Sequence, residues 1–253
     1  MESKDVYIRL VSLAHGRPGN ETNALSSSKG QYSSFDSPAS PDRSWQAMKK
    51  QIWKNYFDIV ILPPERISRY AIGLSKKLSR YETKWLLGNK SFIPHISLYH
   101  IAVKPKKYAA FVAEIQRTIK NFPLGYLRTT VIESNLLMFD KPRWIEKLYL
   151  KIIKNTLKYY DWDYGTDKYW PLNHFPRRMR KVGVRFIKKY GTPMVGANFR
   201  PHVTLTSFSV EPPNLKIIKA KSFKFIPRFL CVCELGPSHS CQRVVTKIPF
   251  GKK

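Results

Sequence analysis

The sequence predicts an α+β fold in which duplicated β-α-β lobes form two mainly antiparallel sheets, flanked by helices around a central cleft. Pro94 to Leu98 and Pro201 to Leu205 share one pattern: proline, histidine, β-branched aliphatic residue, hydroxyl residue, leucine. Each copy lies in a run of strand formers, Ser91 to Val103 and Phe199 to Val210. A strand and an amphipathic helix precede each run in the same order, which indicates a repeated unit.

The first unit lies in a part of the chain that becomes globular in composition near Trp45. Tyr56 to Leu62 is a compact apolar run and predicts a strand that ends at Pro63. A helix is predicted over Glu65 to Arg80, because apolar residues recur at helical spacing and an acidic residue occupies the first turn. The strand of His95 completes the unit.

The second unit follows a helix predicted over Lys106 to Asn121 and a strand predicted over Tyr126 to Ile132. It consists of the strand Leu136 to Phe139, a helix that starts after Pro142, and the strand of His202. Further strands are expected to complete the sheets, at Ser222–Phe225, Phe229–Leu235 and Val244–Ile248.

The repeated order indicates an internal duplication, and so one bilobed domain over residues 51–253 with lobes at about 51–130 and 131–253. The second unit is longer because of an insertion at residues 159–190. A basic helix is predicted in it, with the cations Arg177, Arg178, Arg180, Lys181, Arg185, Lys188 and Lys189. Basic residues interleaved with aromatic ones suit a single-stranded RNA groove. The alternative is a solvated helix face that hides Val182, Val184 and Phe186.

Residues 1–50 differ from the rest of the chain in composition. Val6 to Val11 predicts one short strand, and the Ser-, Gly-, Asn- and Pro-rich stretch from Gly16 to Asp42 predicts a flexible arm. The first residues do not show a basic region followed by a long apolar core, so no secretory signal is predicted. We therefore expect a cytoplasmic protein.

A formal charge of +28 over 253 residues is the strongest global signal. It indicates a polyanionic partner, with nucleic acid ahead of an acidic membrane surface. The alternative is a lysine-rich composition spread over solvated faces. Hydrophobic content of 43% indicates a globular protein, and the apolar runs are too short to span a membrane. A monomer without membrane association is expected.

Three cysteines and no secretory signal favour a reducing cytosol over a disulfide scaffold. Cys231 and Cys233, together with His239 and Cys241, are a metal-site candidate, but their spacing matches no common zinc pattern. Small buried side chains in a strand are the favoured interpretation. We expect neither a metal nor another cofactor.

The two motifs carry the chemistry that the sequence predicts. Residues two apart in a strand face the same way, so each motif presents one imidazole and one hydroxyl together. His95 and His202 are candidates for one general base and one general acid, because histidine titrates near neutral pH. Ser97 and Thr204 are candidates for hydrogen bonds to phosphate oxygens. The intervening residues are expected to face the opposite layer: Ile96, Leu98, Val203 and Leu205.

The paired His-x-Ser and His-x-Thr motifs, about a hundred residues apart in a duplicated chain, resemble the two-histidine (2H) phosphoesterase superfamily. That superfamily includes bacterial RNA 2'-5' ligase-like proteins and cyclic phosphodiesterases. The resemblance covers about Trp53 to Ile248 and is specific mainly at the motifs. It implies that His95 and His202 are the acid–base pair, that Ser97 and Thr204 bind phosphate, and that a 2',3'-cyclic or 2'-5' phosphodiester is cleaved without metal. It does not distinguish the acid from the base.

Further substrate contacts follow from strict strand alternation, which places Tyr99 and Thr206 on the motif faces. Tyr99 would stack on a base or touch phosphate; the alternative is an aromatic residue packed in the cleft wall. Arg200, next to the second motif, is a candidate phosphate contact. Other histidines are expected to lie outside the site, either pointing away from it or structural or exposed: His100, His174 and His239.

Two alternatives to hydrolysis stay open. An RNA-binding module of the same fold would keep the surface without turnover, and an RNA 2'-5' ligase would use the same residues in the reverse direction. In every case the expected partner is RNA or a cyclic or 2'-5'-linked nucleotide. A metal-free assay of His95→Ala and His202→Ala separates catalysis from binding.

Overall fold

The computed structural model describes residues 55–164, 177–209 and 216–251. The predicted N-terminal arm (residues 1–50), its strand at Val6 to Val11, His174 and the side chains of Arg177 and Arg178 lie outside what is described. The described residues all belong to one compact unit, Arg43–Lys253. Within them, none of the helices has the length and apolar character needed to cross a membrane.

Eleven strands and four α-helices lie in the described ranges. In chain order they are β1 (Tyr56–Ile61), α1 (Glu65–Leu78), β2 (Thr83–Leu86), β3 (Ile96–Ala102), α2 (Tyr108–Ile119), β4 (Leu127–Glu133), β5 (Leu136–Phe139), α3 (Arg143–Thr156), α4 (Arg177–Tyr190), β6 (His202–Thr204), β7 (Thr206–Phe208), β8 (Ile218–Lys219), β9 (Lys224–Phe225), β10 (Phe229–Gly236) and β11 (Ser240–Pro249). The α+β class and the mainly antiparallel sheets agree with the prediction.

The first sheet has the strand order β11-β10-β1-β3, and its pairs are antiparallel. Strand β1 is buried on both faces, because its sequence is apolar at every position except Asp58. A strand buried in this way needs a hydrogen-bonding partner at each edge. Strand β3 supplies one and β10 supplies the other, which leaves β3 at the edge of the sheet.

The second sheet has the order β6-β5-β4-β8, with β9 also paired to β4. Strand β6 therefore lies at an edge, as β3 does in the first sheet. In both sheets the strand that leads into a helix pairs antiparallel with the histidine strand that follows that helix: β1 with β3, and β5 with β6.

The sheets do not follow the predicted lobe boundary at residue 130. Strands β10 and β11 come last in the described chain, yet they complete the first sheet beside β1. Strand β4 spans the boundary and belongs wholly to the second sheet. The sequence repeat did not reveal that β10 and β11 return to the first sheet. The apolar pattern of β10 does not specify the strand with which it pairs.

The run Phe199 to Val210, predicted as one strand, is divided at Leu205. Strand β6 pairs with β5, whereas β7 pairs with β2, a short strand that the sequence pattern did not predict. Asn135 holds the division: its backbone oxygen accepts a 2.8 Å hydrogen bond from Leu205 N, and its Nδ2 donates to Thr206 O at 2.6 Å. The segment after His202 thus crosses from the second sheet to a separate ladder.

A continuous hydrophobic core joins both sheets to α1, α2 and α3. The buried helix residues recur at the helical spacing that the sequence predicted. They are Ile67 and Ala71 of α1, Phe111, Ile115 and Ile119 of α2, and Ile145, Leu148 and Ile152 of α3.

The basic helix α4 forms within the predicted insertion and ends at Gly191. Gly191 has a φ of 72°, a backbone conformation that favours glycine at the C-terminus of a helix. A Cβ at this position would also lie 2.0 Å from Cε2 of Tyr160 and would collide with the ring. Val182 and Val184 are 36% and 40% exposed, so the alternative of a solvated face that hides them does not hold for these two residues. Phe186, the third residue of that alternative, is half-buried and packs against the main core. Ile187, one turn before the glycine, is buried.

Candidate active site

The two histidine motifs meet at one cavity of about 180 Å³. His95 immediately precedes β3 and His202 begins β6, so each motif lies on the edge strand of its sheet. His95, Ser97, His202 and Thr204 all line the cavity. Because the two edge strands belong to different sheets, the sheets position the motifs independently and the cavity lies where they face each other.

The apolar partners within the motifs are buried, as the alternation predicted. Ile96 and Leu98 of the first motif and Val203 and Leu205 of the second are all part of the main hydrophobic core. Their burial fixes which way the alternate polar side chains point.

Both imidazoles are held by the same kind of hydrogen bond. His95 Nδ1 lies 2.7 Å from the carbonyl oxygen of Ile93, and His202 Nδ1 lies 2.6 Å from the carbonyl oxygen of Arg200, in each case two residues earlier. A carbonyl oxygen can only accept, so Nδ1 of each ring carries the proton. The Nε2 atoms of the neutral rings are therefore able to accept a proton in the cavity.

Asp58 on β1 is fully buried and contacts three residues that line the cavity. Its Oδ2 accepts a hydrogen bond from Ser97 Oγ at 2.6 Å and lies 3.1 Å from His100 Nε2 and 3.6 Å from His95 Nε2. A buried carboxylate is costly unless it is paired and hydrogen-bonded. Three polar side chains of the first histidine strand thus gather around one carboxylate oxygen.

A β-bulge explains why His100 is in the site although alternation predicted that it points away. In the β1–β3 ladder, Ile59 is opposite Tyr99 and Val60 is opposite Ser97, so Leu98 is an extra residue on β3. The extra residue shifts the alternation by one. Ser97 and His100 then share the sheet face of Asp58, and the prediction that excluded His100 is wrong.

His239, which was expected to be structural or exposed because no partner pattern matched it, also lines the cavity. Its ring stacks on that of His100, with the centroids 5.3 Å apart and the planes inclined by 10°. Both rings line the cavity. Burial, together with the nearby His100, lowers the pKa of His239 to about 3, so this imidazole is neutral at physiological pH.

The electrostatic surroundings of the two motif histidines differ. Burial lowers the pKa of His95 below its ordinary value, and the Asp58 carboxylate opposes part of that change. Burial lowers the pKa of His202 as well. Its Arg200 carbonyl hydrogen bond acts in the opposite direction, but the charges of His95, Arg200 and His100 lower it further. A carboxylate thus favours the protonated form of His95, whereas cationic neighbours disfavour that of His202.

The two hydroxyl groups differ in the same way. The Ser97 hydroxyl donates its proton to Asp58, so it faces the cavity as an acceptor. The Thr204 hydroxyl lines the cavity and makes no hydrogen bond within the described part of the chain, so its proton is available to a ligand. The motif pattern had predicted equivalent donors.

Of the other predicted contacts, Arg200 lines the cavity and is ion-paired with Glu133. Tyr99 lies in the cavity wall and is almost fully buried. Its hydroxyl donates a 2.7 Å hydrogen bond to the carbonyl oxygen of Tyr190. Tyr99 therefore fits the alternative of an aromatic residue packed in the cleft wall. Thr206 does not reach the cavity, because it follows the break at Leu205, is fully buried and donates to the Trp85 carbonyl oxygen.

The cysteines lie under the same sheet face and are free thiols. Cys231, Cys233 and Cys241 are buried together with Val60. In residues 55–164, 177–209 and 216–251, no group of three or more His, Cys, Asp or Glu side chains is arranged to hold a metal ion.

One signal in the sequence could have identified Asp58. It is the single charged residue in the apolar run Tyr56 to Ile61, and a charged side chain in the middle of a strand that is buried on both faces requires partners. No comparable signal marks His239, whose position depends on a turn in which Ser238 and His239 both have positive φ.

Comparisons with known proteins bear on the fold. The chain is similar in structure to the protein TT0787 of Thermus thermophilus, with a TM-score of 0.53 and 12% sequence identity over 78% of this chain and 100% of that one. A solved structure described as a phosphoesterase gives a TM-score of 0.47 and 12% identity over 77% of this chain and 94% of that one, a likeness too weak to carry an argument. No family model matches the sequence, and no curated protein is similar enough to match. The first likeness shows a shared fold.

Proposed function

We propose that this protein is a phosphoesterase that cleaves 2',3'-cyclic or 2'-5' phosphodiester bonds in RNA or nucleotides, with His95 and His202 as the acid–base pair. The observation that carries the proposal is the matched anchoring of the two imidazoles. Each is held through Nδ1, so that Nε2 is the exchangeable position in one shared cavity. Acid–base cleavage of a phosphodiester requires two such groups.

The surroundings of the two rings favour His202 as the base and His95 as the acid. In hydrolysis of a cyclic phosphodiester, His202 Nε2 takes a proton from the attacking water, whose oxygen forms a bond to phosphorus. The bond from phosphorus to one ribose oxygen breaks, and protonated His95 Nε2 gives its proton to that oxygen. Asp58, 3.6 Å from His95 Nε2, stabilises the imidazolium that this step requires. The products are a phosphomonoester and a free hydroxyl group.

The hydroxyl groups have separate roles in this scheme. Thr204 donates to a non-bridging phosphate oxygen, where negative charge increases in the transition state. Ser97 is a positioning residue, because its proton is held by Asp58. Arg200 lines the cavity wall that receives the phosphate and is a further candidate contact, with its charge shared with Glu133.

The charge around the cavity supports an anionic, nucleotide-containing substrate. Helix α4 carries exposed cations up to its C-terminus, and the loop after it supplies Thr192 and Met194 to the cavity. The described cations of this surface are Arg180, Lys181, Arg185, Lys188 and Lys189. With the formal charge of +28, this arrangement favours a polyanion such as RNA.

The test is turnover of three substrates in the presence of a metal chelator: a 2',3'-cyclic mononucleotide, an RNA with a 2',3'-cyclic end, and a 2'-5' oligoadenylate. We expect at least one to be cleaved, and His95→Ala or His202→Ala to remove cleavage without changing the circular dichroism spectrum. RNA retention without turnover of any substrate would indicate a binding module instead. Joining of RNA ends in place of cleavage would indicate a 2'-5' ligase.

We infer further that the two units arose by duplication. The matching order and antiparallel pairing of β1-α1-β3 and β5-α3-β6 support this inference. Superposition of the two units should place His95 on His202. A superposition that matches the helices but separates these residues would contradict a common origin of the two motifs.

A further inference from the structure

A second, larger groove lies outside the histidine cavity. It is open to solvent and has a volume of about 920 Å³. We call it the basic groove and define it by six of its lining residues: Arg66, Tyr126, Lys224, Arg228, Phe229 and Lys247. They come from the start of α1, the approach to β4, the segment around β9 and β10, and β11.

The groove is strongly cationic. Its four basic side chains are exposed, and the single acid in its lining, Glu65, already faces Arg69 at 3.6 Å. Arg66 is held in place, because its Nη2 donates a 2.9 Å hydrogen bond to the carbonyl oxygen of Lys224. Clustered cations with so little compensating charge attract a polyanion.

Two exposed aromatic rings lie among these cations. Tyr126 is 48% exposed and Phe229 is 41% exposed. Lys224 Nζ lies 3.6 Å from the centroid of the Tyr126 ring, and Lys247 Nζ lies 5.5 Å from that of Phe229. Both rings therefore present aromatic surface to solvent within the groove. Rings that stack on bases beside cations that meet phosphates are the combination that binds single-stranded nucleic acid.

One wall of the groove belongs to the sheet face that carries Asp58, and the buried residues Cys231 and Cys233 lie between Phe229 and that carboxylate. Asp58 is paired with Cys233, and Cys231 and Phe229 follow at alternate positions of β10, so all three point to the face of Asp58. Phe229 is four residues from Cys233, or about 13 Å along the strand. A strand of a few nucleotides spans that distance.

We propose that the basic groove binds the single-stranded RNA that continues from the phosphodiester held between His95 and His202. The proposal rests on the proposed function for the position of the reacting bond. The groove itself is tested by binding alone, so the two claims can fail separately. In this complex, RNA bases stack on Tyr126 and Phe229, and Lys224 and Lys247 contact the RNA phosphates.

The first experiment measures binding of a fluorescein-labelled single-stranded RNA of about 12 nucleotides, a length within the usual range of such sites. The variants are Lys224→Ala with Lys247→Ala, and Tyr126→Ala with Phe229→Ala. The matched control is Lys76→Ala with Lys77→Ala, two lysines at the end of α1 that line neither cavity. All are made in the full chain, with circular dichroism and thermal unfolding as folding checks.

We expect each groove pair to weaken RNA binding roughly tenfold or more at moderate salt, and the control pair to change it much less. The lysine pair should also reduce the slope of log affinity against log salt by roughly 1.4, the loss of two phosphate contacts to a single strand. The aromatic pair should leave that slope unchanged. Groove variants that bind RNA no more weakly than the control would overturn the proposal, as would groove-dependent binding of anionic vesicles or an acidic peptide at equal or higher affinity.

The second experiment separates the groove from the chemistry. Groove variants should cleave a 2',3'-cyclic mononucleotide at the wild-type rate, and should lose roughly tenfold in kcat/KM on a cyclic-ended RNA of the same length as the probe. An equal loss on both substrates would overturn the groove as an RNA site. If neither substrate is cleaved by the wild-type chain, the proposed function fails, and the binding comparison still decides the groove.

Discussion

Ser97 Oγ donates a 2.6 Å hydrogen bond to Oδ2 of Asp58, and this bond makes the two histidine motifs chemically unequal. The hydroxyl of the second motif, Thr204, has no such acceptor in the described part of the chain. The two motifs look alike in sequence, so the difference between their surroundings, on which the proposed acid and base roles rest, comes from a residue outside both.

Replacing either histidine by glutamine should strongly reduce turnover. Glutamine retains a hydrogen-bonding side chain but cannot transfer a proton at neutral pH, so His95→Gln and His202→Gln should each lower kcat by about 10² to 10⁴. Steady-state kinetics on a 2',3'-cyclic nucleotide measures this. A loss confined to KM would contradict an acid–base role.

Asp58→Asn should shift the pH dependence of turnover. The carboxylate raises the pKa of His95 against the lowering effect of burial, so its removal lowers that pKa further. The acid His95 must be protonated to act, and the high-pH limb of the pH–rate profile should therefore move to lower pH. The low-pH limb, which reports the base His202, should move less.

An unchanged high-pH limb in Asp58→Asn would contradict this role for the carboxylate. The wild-type profile itself should be centred below about 6.5, because the pKa of each histidine lies below the ordinary value.

Thr204→Val should cost more activity than Ser97→Ala. Removing Thr204 Oγ1 takes away a donor to the charged phosphate oxygen, and the loss of such a donor typically lowers kcat by about 10² to 10³. Ser97→Ala leaves the substrate contacts in place and removes one partner of Asp58, so its main effect should be on the pH profile. Equal losses in kcat with unchanged pH profiles would favour two equivalent phosphate donors.

His239→Phe should reduce the dependence of stability on pH. Folding lowers the pKa of His239 from 6.5 to about 3, so the unfolded chain binds more protons between these values. Stability is then greatest above about pH 6.5 and falls as the pH decreases toward 3, by roughly 5 kcal/mol at most from this group. Urea unfolding at pH 7 and pH 5 should show a smaller difference for the variant than for the wild-type protein.

Gly191→Ala should destabilise the C-terminus of α4 and the loop behind it. Alanine at a φ of 72° is strained, and its Cβ would collide with the Tyr160 ring. The expected cost is about 1 to 3 kcal/mol in the free energy of unfolding. Gly73→Ala is the matched control, because it lies mid-helix in α1, and a Cβ there has nothing within 4 Å. It should be neutral or stabilising.

The sequence predicted the longer strands, the helices and the faces of the apolar motif residues because those depend on local patterns. The apolar alternation of Ile96 and Leu98, or Val203 and Leu205, follows directly from strand geometry. The error at His100 came from the bulge at Leu98, whose position depends on how β3 fits against β1. The return of β10 to the first sheet likewise depends on long-range pairing that a repeat in sequence does not encode.

The division at Leu205 has a mechanical consequence. Before the break, β6 is hydrogen-bonded to β5, and after it, β7 is hydrogen-bonded to β2. A hinge-like opening of the cleft would have to rupture one of these ladders. We therefore expect the width of the cleft to change little when a ligand binds. Hydrogen exchange at Val203 and Ser207 should accordingly be slow and insensitive to added nucleotide.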